Sequence, residues 1–480
     1  ISVFFPHMRG DSTLKIILLI IGDFVLFWAA LMLGLFLRYY PSPDWILVEL
    51  HFFPFGILFF AWLLFFGAFG MYDIRFMKNS KFFLYRLLRA MAANTILAII
   101  LFYFLLTYLS IEPRRNLIII AVTAALFVYL WRTLFNMLLG RTPTSRLIFF
   151  GITDEMTILA DYLLKNRQLG YKPVAFISNG NESPDRTLPM PNYVLNTQGI
   201  SHIISDTRAD TVVISREIKE NKTLIRILFQ AIPYGIGVVE FTRLHEQVTG
   251  KVPLSLIEEV WFLENLVGIS KPRYEFTKYL FDIFLACIAG IPALLLLPFA
   301  ALGILLSRPS DINKYRALRA RKGDGLIFFR QNRVGRNGKV FNFVKLRSQI
   351  LGAEKMGEQK ELAHDPRQYP FGKFLRKSYL DELPQIWNVL KGEMSFVGPR
   401  PERPEYVEML KQKIPFYQMR LLVLPGITGW AQVNMENDAS VEDAPEKMQY
   451  DLYYIKNRSF ALDLLIILKT IAALLRRQGR

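Results

Sequence analysis

Four stretches in the first third of the chain are almost wholly apolar: Leu14–Leu37, Phe52–Met71, Leu87–Leu109 and Leu117–Leu139. Each is close to the length a helix needs to cross the hydrocarbon layer, about 20 residues. The pattern predicts an α-helical membrane bundle of four spans over residues 1–143. The first run is too long, and too soon followed by others, to be a cleaved signal peptide.

From residue 144 the period changes. Arg146–Ile152, Lys172–Ser178, Asp210–Ser215 and Ile236–Thr242 are short runs of strand-forming residues, separated by helical patterns such as Asp154–Lys165 and Glu217–Ile232. That alternation predicts a doubly wound, Rossmann-like α/β domain over 144–265. A dinucleotide site wants a glycine fingerprint after the first strand. Here "FFGITDEM" offers Gly151 alone, so the domain reads as a spacer or regulatory element without bound dinucleotide.

A fifth apolar run, Ile283–Leu306, is again long enough to span. It is followed, from Arg308 to Arg347, by twelve Lys and Arg against two Asp, a balance that belongs on the cytoplasmic side. The domain before the run belongs there too, and one helix cannot leave and return unless it bends back. Pro292 and Pro298 each remove a backbone donor, which predicts a re-entrant helix pair over about 280–306 with its break at one of them. A kinked true span is the alternative. The run would anchor a mainly α, monotopic domain over 266–480, the one that carries the candidate catalytic residues below.

Composition agrees with several domains: 480 residues, 52% hydrophobic, formal net charge +17. Such a charge suits anionic lipid, phosphorylated substrates or nucleic acid. Nucleic acid is excluded because the basic residues flank apolar segments rather than stacking aromatics. The single Cys287 rules out a disulfide framework, and the five scattered His lack the spacing of a zinc centre. Arg75, Lys78, Lys81 and Arg86 follow the second span, whereas Asp44, Glu49 and Glu112 lie in the other connectors. The positive-inside rule then puts both ends of the bundle, and the domains after it, on the cytoplasmic face of the membrane, which the family resemblance given below implies is a bacterial inner membrane. The spans show no evident charge pair, which argues against a transporter. The chain opens at Ile1 rather than Met, so residues are expected upstream of it.

The candidate chemistry lies in "LDELPQIWNVL". Pro384 is comfortable only in the first turn of a helix, so a helix is predicted to start at about Asp381. Asp381 and Glu382 would then sit at the positive end of the helix dipole, which favours ionised carboxylates and attracts phosphate. A solvated acidic helix start is the bland reading. The other reading makes Asp381 a nucleophile and Glu382 a Mg²⁺ ligand beside a phosphorylated substrate. Around the pair stand "FRQNRVGRNGKVFNFVKLRS", with Arg333, Arg336 and Lys345, and "GPRPERPEY", where Pro399 and Pro401 restrict the backbone around Arg400. Arginine forks suit phosphate oxygens, although part of this basic set, with the tail Arg476–Arg480, suits lipid headgroups instead.

Together "FRQNRVGRNGKVF", "LDELPQIWNVLKGEMSFVGPRPERPEY", "PGITGWAQVN" and "ASVEDAPEKMQYDLYYIKNRS" resemble the bacterial sugar transferases, the monotopic polyprenyl-phosphate hexose-1-phosphate transferases. With the four spans and the Rossmann-like domain, the chain is similar to the large subgroup that initiates exopolysaccharide or O-antigen repeat units. The resemblance implies a ping-pong reaction. Asp381 takes hexose-1-phosphate from a UDP-sugar, UDP-glucose or UDP-galactose, expelling UMP; undecaprenyl phosphate then takes it from Asp381. It implies that Glu382 holds Mg²⁺, that Lys345 and Arg400 line the phosphate site, and that a homodimer is one arrangement open to the chain. The chain departs from the family pattern at Leu424-Pro425-Gly426 and at Asn434-Met435-Glu436, where relatives carry basic residues. A catalytically inactive membrane scaffold or regulator is the alternative, against which the intact Asp381-Glu382 pair argues.

Overall fold

The computed structural model describes residues 10–40, 45–72, 81–104, 114–139, 145–178, 188–194, 200–215, 221–229, 233, 235–266, 271–307, 325–350, 353, 367–435 and 442–475. Of the charges used above to orient the bundle, Asp44, Arg75, Lys78 and Glu112 lie outside these residues. So do the basic stretch 308–324 and the tail Arg476–Arg480. The chain forms two compact units, Ile1–Gly250 and Lys251–Arg480.

The first unit opens with four long helices: α1 (Gly10–Arg38), α2 (Trp45–Ala68), α3 (Lys81–Phe104) and α4 (Arg114–Leu139). Each contains a segment long and apolar enough to cross a membrane. Phe27, Phe55, Phe59, Trp62 and Phe66 fill the middle of the bundle, with edge-to-face and tilted rings. Glycines let α1 and α4 approach closely, as small residues do between membrane helices. A Cβ on Gly22 would lie 2.6 Å from the Trp131 ring, and one on Gly34 would lie 2.8 Å from Ile120.

The bundle also holds what the sequence did not reveal, a buried ion pair between Asp23 of α1 and Arg132 of α4. Arg132 donates a further bond to the Met71 carbonyl at 2.7 Å, and its guanidinium lies over the Tyr72 ring. The absence of an intramembrane charge pair was therefore a wrong expectation. The two charges are 109 positions apart, and only the packing of α1 on α4 brings them together.

The rest of the first unit is a sheet with its helices: β1 (Ser145–Phe150), α5 (Asp154–Lys165), β2 (Tyr171–Ser178), β3 (Asn192–Val194), α6 (Ile200–Thr207), β4 (Thr211–Ile214), α7 (Lys222–Phe229), β5 (Gly237–Glu240) and α8 (Phe241–Thr249). The strands are all parallel in the order β3-β2-β1-β4-β5, the doubly wound arrangement expected of alternating strands and helices. β1 and β4 are buried on both faces, hence their unbroken apolar runs. Thr153 caps α5, its side chain accepting from the Met156 N–H. The last strand is shorter than its apolar pattern suggested, because the chain turns helical at Phe241.

In the second unit, α9 (Glu259–Leu266) and the segment before it send Val252, Ile257, Trp261 and Phe262 into the same core as Val397, Tyr417, Trp430 and Leu452. These residues belong to the second unit, which begins at Lys251. Next comes α10 (Pro272–Leu306), which is one unbroken helix with Pro292 and Pro298 inside it. This corrects the expected division into two helices. Each proline removes a single backbone donor, but the packing along one side keeps the helical course. Asp282, Ala286, Ala293, Ala300 and Ile304 form that buried side at helical spacing. Ala286 and Ala293 pack on Phe341, Phe343, Ile386 and Val389, and Ala300 and Ile304 on Leu346 and Leu375. The opposite side, with Phe284, Ile288, Ile291, Leu295, Phe299 and Leu302, is exposed along its whole length.

Beyond α10 come an antiparallel hairpin of β6 (Phe328–Val334) and β7 (Val340–Leu346), α11 (Pro370–Lys377), α12 (Gln385–Leu390), β8 (Ser395–Val397), α13 (Pro404–Lys413), β9 (Gly426–Thr428), α14 (Trp430–Asn434), α15 (Ala444–Asn457) and α16 (Phe460–Leu475). The "VGPRP" and "PGITG" segments meet in a two-stranded parallel ladder, β8 on β9. The backbones come so close that a Cβ on Gly398 would lie 2.3 Å from the Leu424 carbonyl, and one on Gly426 2.1 Å from the Gly398 nitrogen. The glycines of both motifs are required by that approach.

Candidate active site

Three elements converge on one carboxylate. β7 supplies Lys345, whose Nζ donates to Glu382 Oε1 at 2.6 Å; the hinge after β8 supplies Arg400, which donates to the same oxygen at 3.1 Å. Glu382 follows Asp381 in a 3₁₀ turn, Leu380–Glu382, entered through Tyr379 in the left-handed region at φ 55°. Regular α-helix starts only at Gln385, later than expected, and α12 has six residues. So short a helix contributes little dipole, and the charges are set by neighbours and burial instead.

Burial opposes the charge on Glu382, but the Lys345 ammonium and Arg400 guanidinium overcome it and hold this carboxyl well below the usual range. Burial pushes Asp381 the other way, up to about 6, against the pull of Lys345 and assisted by the charge on Glu382. Asp381 was expected to be favoured as the anion; desolvation of a side chain only 5% exposed reverses that. The result is two adjacent carboxylates with separated acidities. One is a permanent anion locked between cations, the other a more basic carboxylate that is still mostly ionised at neutral pH. Such a carboxylate can attack an electrophilic phosphorus, and the cations beside it can receive phosphate oxygens.

The hinge that carries Arg400 is held from behind. Arg420 donates to the Arg400 carbonyl at 2.9 Å, and Arg333 to the Pro401 carbonyl at 3.0 Å. Val334 N–H bonds the Glu402 carbonyl at 2.9 Å, so three consecutive residues are fixed. The Glu402 side chain takes Lys447 at 2.6 Å and faces Arg333 at 3.5 Å. Arg420, nearly buried, is paired with Asp451 at 2.9 Å. Burial opposes the charge on Glu402, yet Lys447, Arg420 and Arg333 lower its carboxyl to about 2.

These contacts sort the candidates. Asp381, Glu382, Lys345 and Arg400 come together. Arg333 is engaged elsewhere: its guanidinium donates to the Pro401 carbonyl and faces Glu402, although it lies over the same Phe343 ring as Lys345 Nζ, at 5.4 and 5.3 Å. Its guanidinium serves the hinge, as does the Pro401 carbonyl. Arg336 stands in the hairpin turn and pairs with Glu275 of α10 at 3.5 Å. Arg333 is engaged by the hinge and Arg336 by Glu275, which adjacency in a basic motif could not show. Conversely Arg420, Glu402, Lys447 and Asp451 were overlooked. Their signal was present: Lys447 and Asp451 interrupt the apolar face of α15 between Ala444, Met448, Leu452 and Ile455.

Among the described residues no three His, Cys, Asp or Glu gather as a metal cage. The donor set is nevertheless of the kind Mg²⁺ accepts, one carboxylate plus substrate phosphates. Both cations use Glu382 Oε1, and Oε2 has no hydrogen-bond partner among the described residues.

The segment that carries these residues matches known proteins. Residues 273–477 match the family model of the bacterial sugar transferases. The exopolysaccharide production protein ExoY of Sinorhizobium fredii is 31% identical over 234 residues, covering 46% of this chain and 94% of its own. The chain belongs to the bacterial sugar transferase family. A UDP-N-acetylgalactosamine-undecaprenyl-phosphate N-acetylgalactosaminephosphotransferase of Aeromonas hydrophila is 38% identical over 242 residues, half of this chain and 52% of its own. A UDP-glucose:undecaprenyl-phosphate glucose-1-phosphate transferase of Xanthomonas campestris pv. campestris is 30% identical over 345 residues, 69% and 66%. The match thus spans about half to two thirds of the length of these two relatives.

Proposed function

We propose that this protein transfers a hexose-1-phosphate from a UDP-sugar to undecaprenyl phosphate, the first membrane step in assembling a polysaccharide repeat unit. The carrying observation is Asp381, a nearly buried carboxylate of raised basicity beside the Lys345–Glu382–Arg400 cluster. Asp381 attacks the β-phosphorus and UMP leaves. The phosphate of the lipid acceptor then displaces Asp381, so the soluble and lipidic substrates need not be present together. Lys345 and Arg400 face the phosphate oxygens, and Glu382 fixes both cations. Mg²⁺, held by Glu382 and the diphosphate, would supply charge neutralisation there. The family resemblance suggests UDP-glucose or UDP-galactose as donor, while the Aeromonas relative is named for UDP-N-acetylgalactosamine.

The course of α10 supports access to a lipid substrate. At about 1.5 Å per residue it is about 50 Å long. Its first turns are tied to Asp463 through Tyr274 at 2.7 Å and Lys278 at 2.9 Å. Its last turns rest on Leu375 and Phe371 of the same unit. A helix with both ends on one globular body lies along that body and sinks its apolar side into one leaflet, a monotopic placement without the bend of a re-entrant pair. By the charge distribution that leaflet is the cytoplasmic one. Radiolabel transfer from a panel of UDP-sugars to a lipid-phosphate fraction tests the function. Label in lipid with wild type and none with Asp381→Asn is the expected result, whereas equal labelling by both removes Asp381 from the mechanism. An inactive scaffold would label nothing.

A further inference from the structure

Gln385, the first residue of α12, is fully buried, and neither polar atom of its amide has a hydrogen-bond partner among the described residues. A buried amide left unpaired is costly. The neighbouring polar groups avoid that cost. Asn388 donates to the Asn342 carbonyl and to Glu393, each at 2.7 Å, and accepts from the Val344 N–H at 3.3 Å. Lys345, Glu382 and Arg400 satisfy one another.

The backbone places this amide. Leu383 (φ −52°, ψ −37°) and Pro384 (φ −63°, ψ −15°) carry helical geometry from the 3₁₀ turn into α12. Asp381, Gln385 and Asn388 therefore follow one another on one face, at intervals of four and three residues. Side chains on a helix lean toward its N-terminus and cover the preceding turn. The preceding turn here carries Asp381.

We propose that Gln385 is a positioning residue for Asp381: its amide, unpaired at rest among the described residues, donates its Nε2–H, once the donor is engaged, to the carboxyl oxygen that does not bond phosphorus. The inference rests on the proposed role of Asp381. In the first step one Asp381 oxygen bonds the β-phosphorus, the bond from that phosphorus to the UMP oxygen breaks, and UMP leaves with the electron pair. The other Asp381 oxygen becomes a carbonyl. In the second step an oxygen of the lipid phosphate bonds the same phosphorus, and the electron pair of the breaking bond returns to the Asp381 carboxylate. Neither step needs a proton from Gln385. Its N–H decides which oxygen attacks, and in the second step it meets the negative charge returning to the carboxylate.

The test compares full-length wild type, Gln385→Met and Asp381→Asn in lipid nanodiscs, by thermal unfolding and by steady-state transfer from the UDP-sugar that wild type uses best. Methionine keeps the shape of glutamine and removes the unpaired amide, so the melting temperature is expected to stay or rise. The turnover number is expected to fall about ten- to a hundred-fold, the worth of one hydrogen bond to a charged group, with KM for the UDP-sugar changed less than about two-fold. A lowered melting temperature would mean that the amide is structurally paired, and would overturn the proposal. So would unchanged turnover while wild type is active. Wild type inactive with every UDP-sugar overturns the proposed function and this inference with it.

Discussion

The clamp behind the hinge gives a quantitative expectation. Glu402 ordinarily titrates at 4.5 and is held at about 2 in the folded protein. A lowered carboxyl contributes stability that is fully present above the unfolded value, here pH 4.5, and is lost as pH falls toward 2. The shift of about 2.5 units corresponds to roughly 3.5 kcal/mol, at about 1.4 kcal/mol per unit, an upper figure that solvent screening of the partly exposed carboxylate reduces to about 3. That agrees with the 3–5 kcal/mol expected when one partner of a buried ion pair is removed. Glu402→Gln should therefore weaken the second unit by about 3 kcal/mol at pH 7. Hydrogen exchange of α15 and hinge amides in the full-length protein is the assay, because it reads local opening without requiring the two units to unfold together. About a hundred-fold faster exchange in the variant is expected at pH 7, with the ratio shrinking below pH 4.5 and approaching one near pH 2. A ratio independent of pH, or a difference under about 1 kcal/mol at pH 7, would refute the electrostatic clamp.

Other expectations follow from the same contacts. Glu382→Gln removes the anion between Lys345 and Arg400; transfer assays across a Mg²⁺ titration should show at least a ten-fold loss that added metal does not restore. Gly398→Ala forces a Cβ into the Leu424 carbonyl and should lower the melting temperature by the equivalent of about 1–3 kcal/mol, measured by thermal unfolding in detergent. Asp23→Leu should strand Arg132 in the bundle and cost about 3–5 kcal/mol, while the double variant with Arg132→Leu recovers most of it; unfolding of the four-helix bundle in mixed detergents reads the cycle.

Much of the architecture could be read in advance, for identifiable reasons. Residues whose neighbours along the chain decide their state were legible: the apolar runs of α1 to α4, the capped helix Asp154–Lys165, the doubly buried strands β1 and β4. Features made by chain-distant packing were not. Asp23 and Arg132 look like stray charges until α1 lies on α4. Pro292 and Pro298 carry the signature of a break, yet α10 keeps its helix because its small-residue side is seated on the hairpin and α12. At the site, Asp381, Glu382 and Arg400 stood out by motif chemistry, and Lys345 by the family resemblance. Only hairpin register shows that Lys345 reaches Glu382 while Arg333 and Arg336 point to the hinge and to Glu275. Asp381 was assigned its acidity from a dipole that a six-residue helix scarcely has, whereas burial, which a sequence does not display, sets it.

The central claim is that Asp381 becomes covalently phosphorylated by the sugar donor. The most direct measurement is peptide-level mass spectrometry of the protein quenched in acid after exposure to the UDP-sugar without lipid acceptor. A hexose-phosphate adduct on the peptide containing Asp381, absent from Asp381→Asn and discharged by added undecaprenyl phosphate, is the expected result. An adduct on a different residue, or lipid product formed at full rate by Asp381→Asn, would contradict the claim.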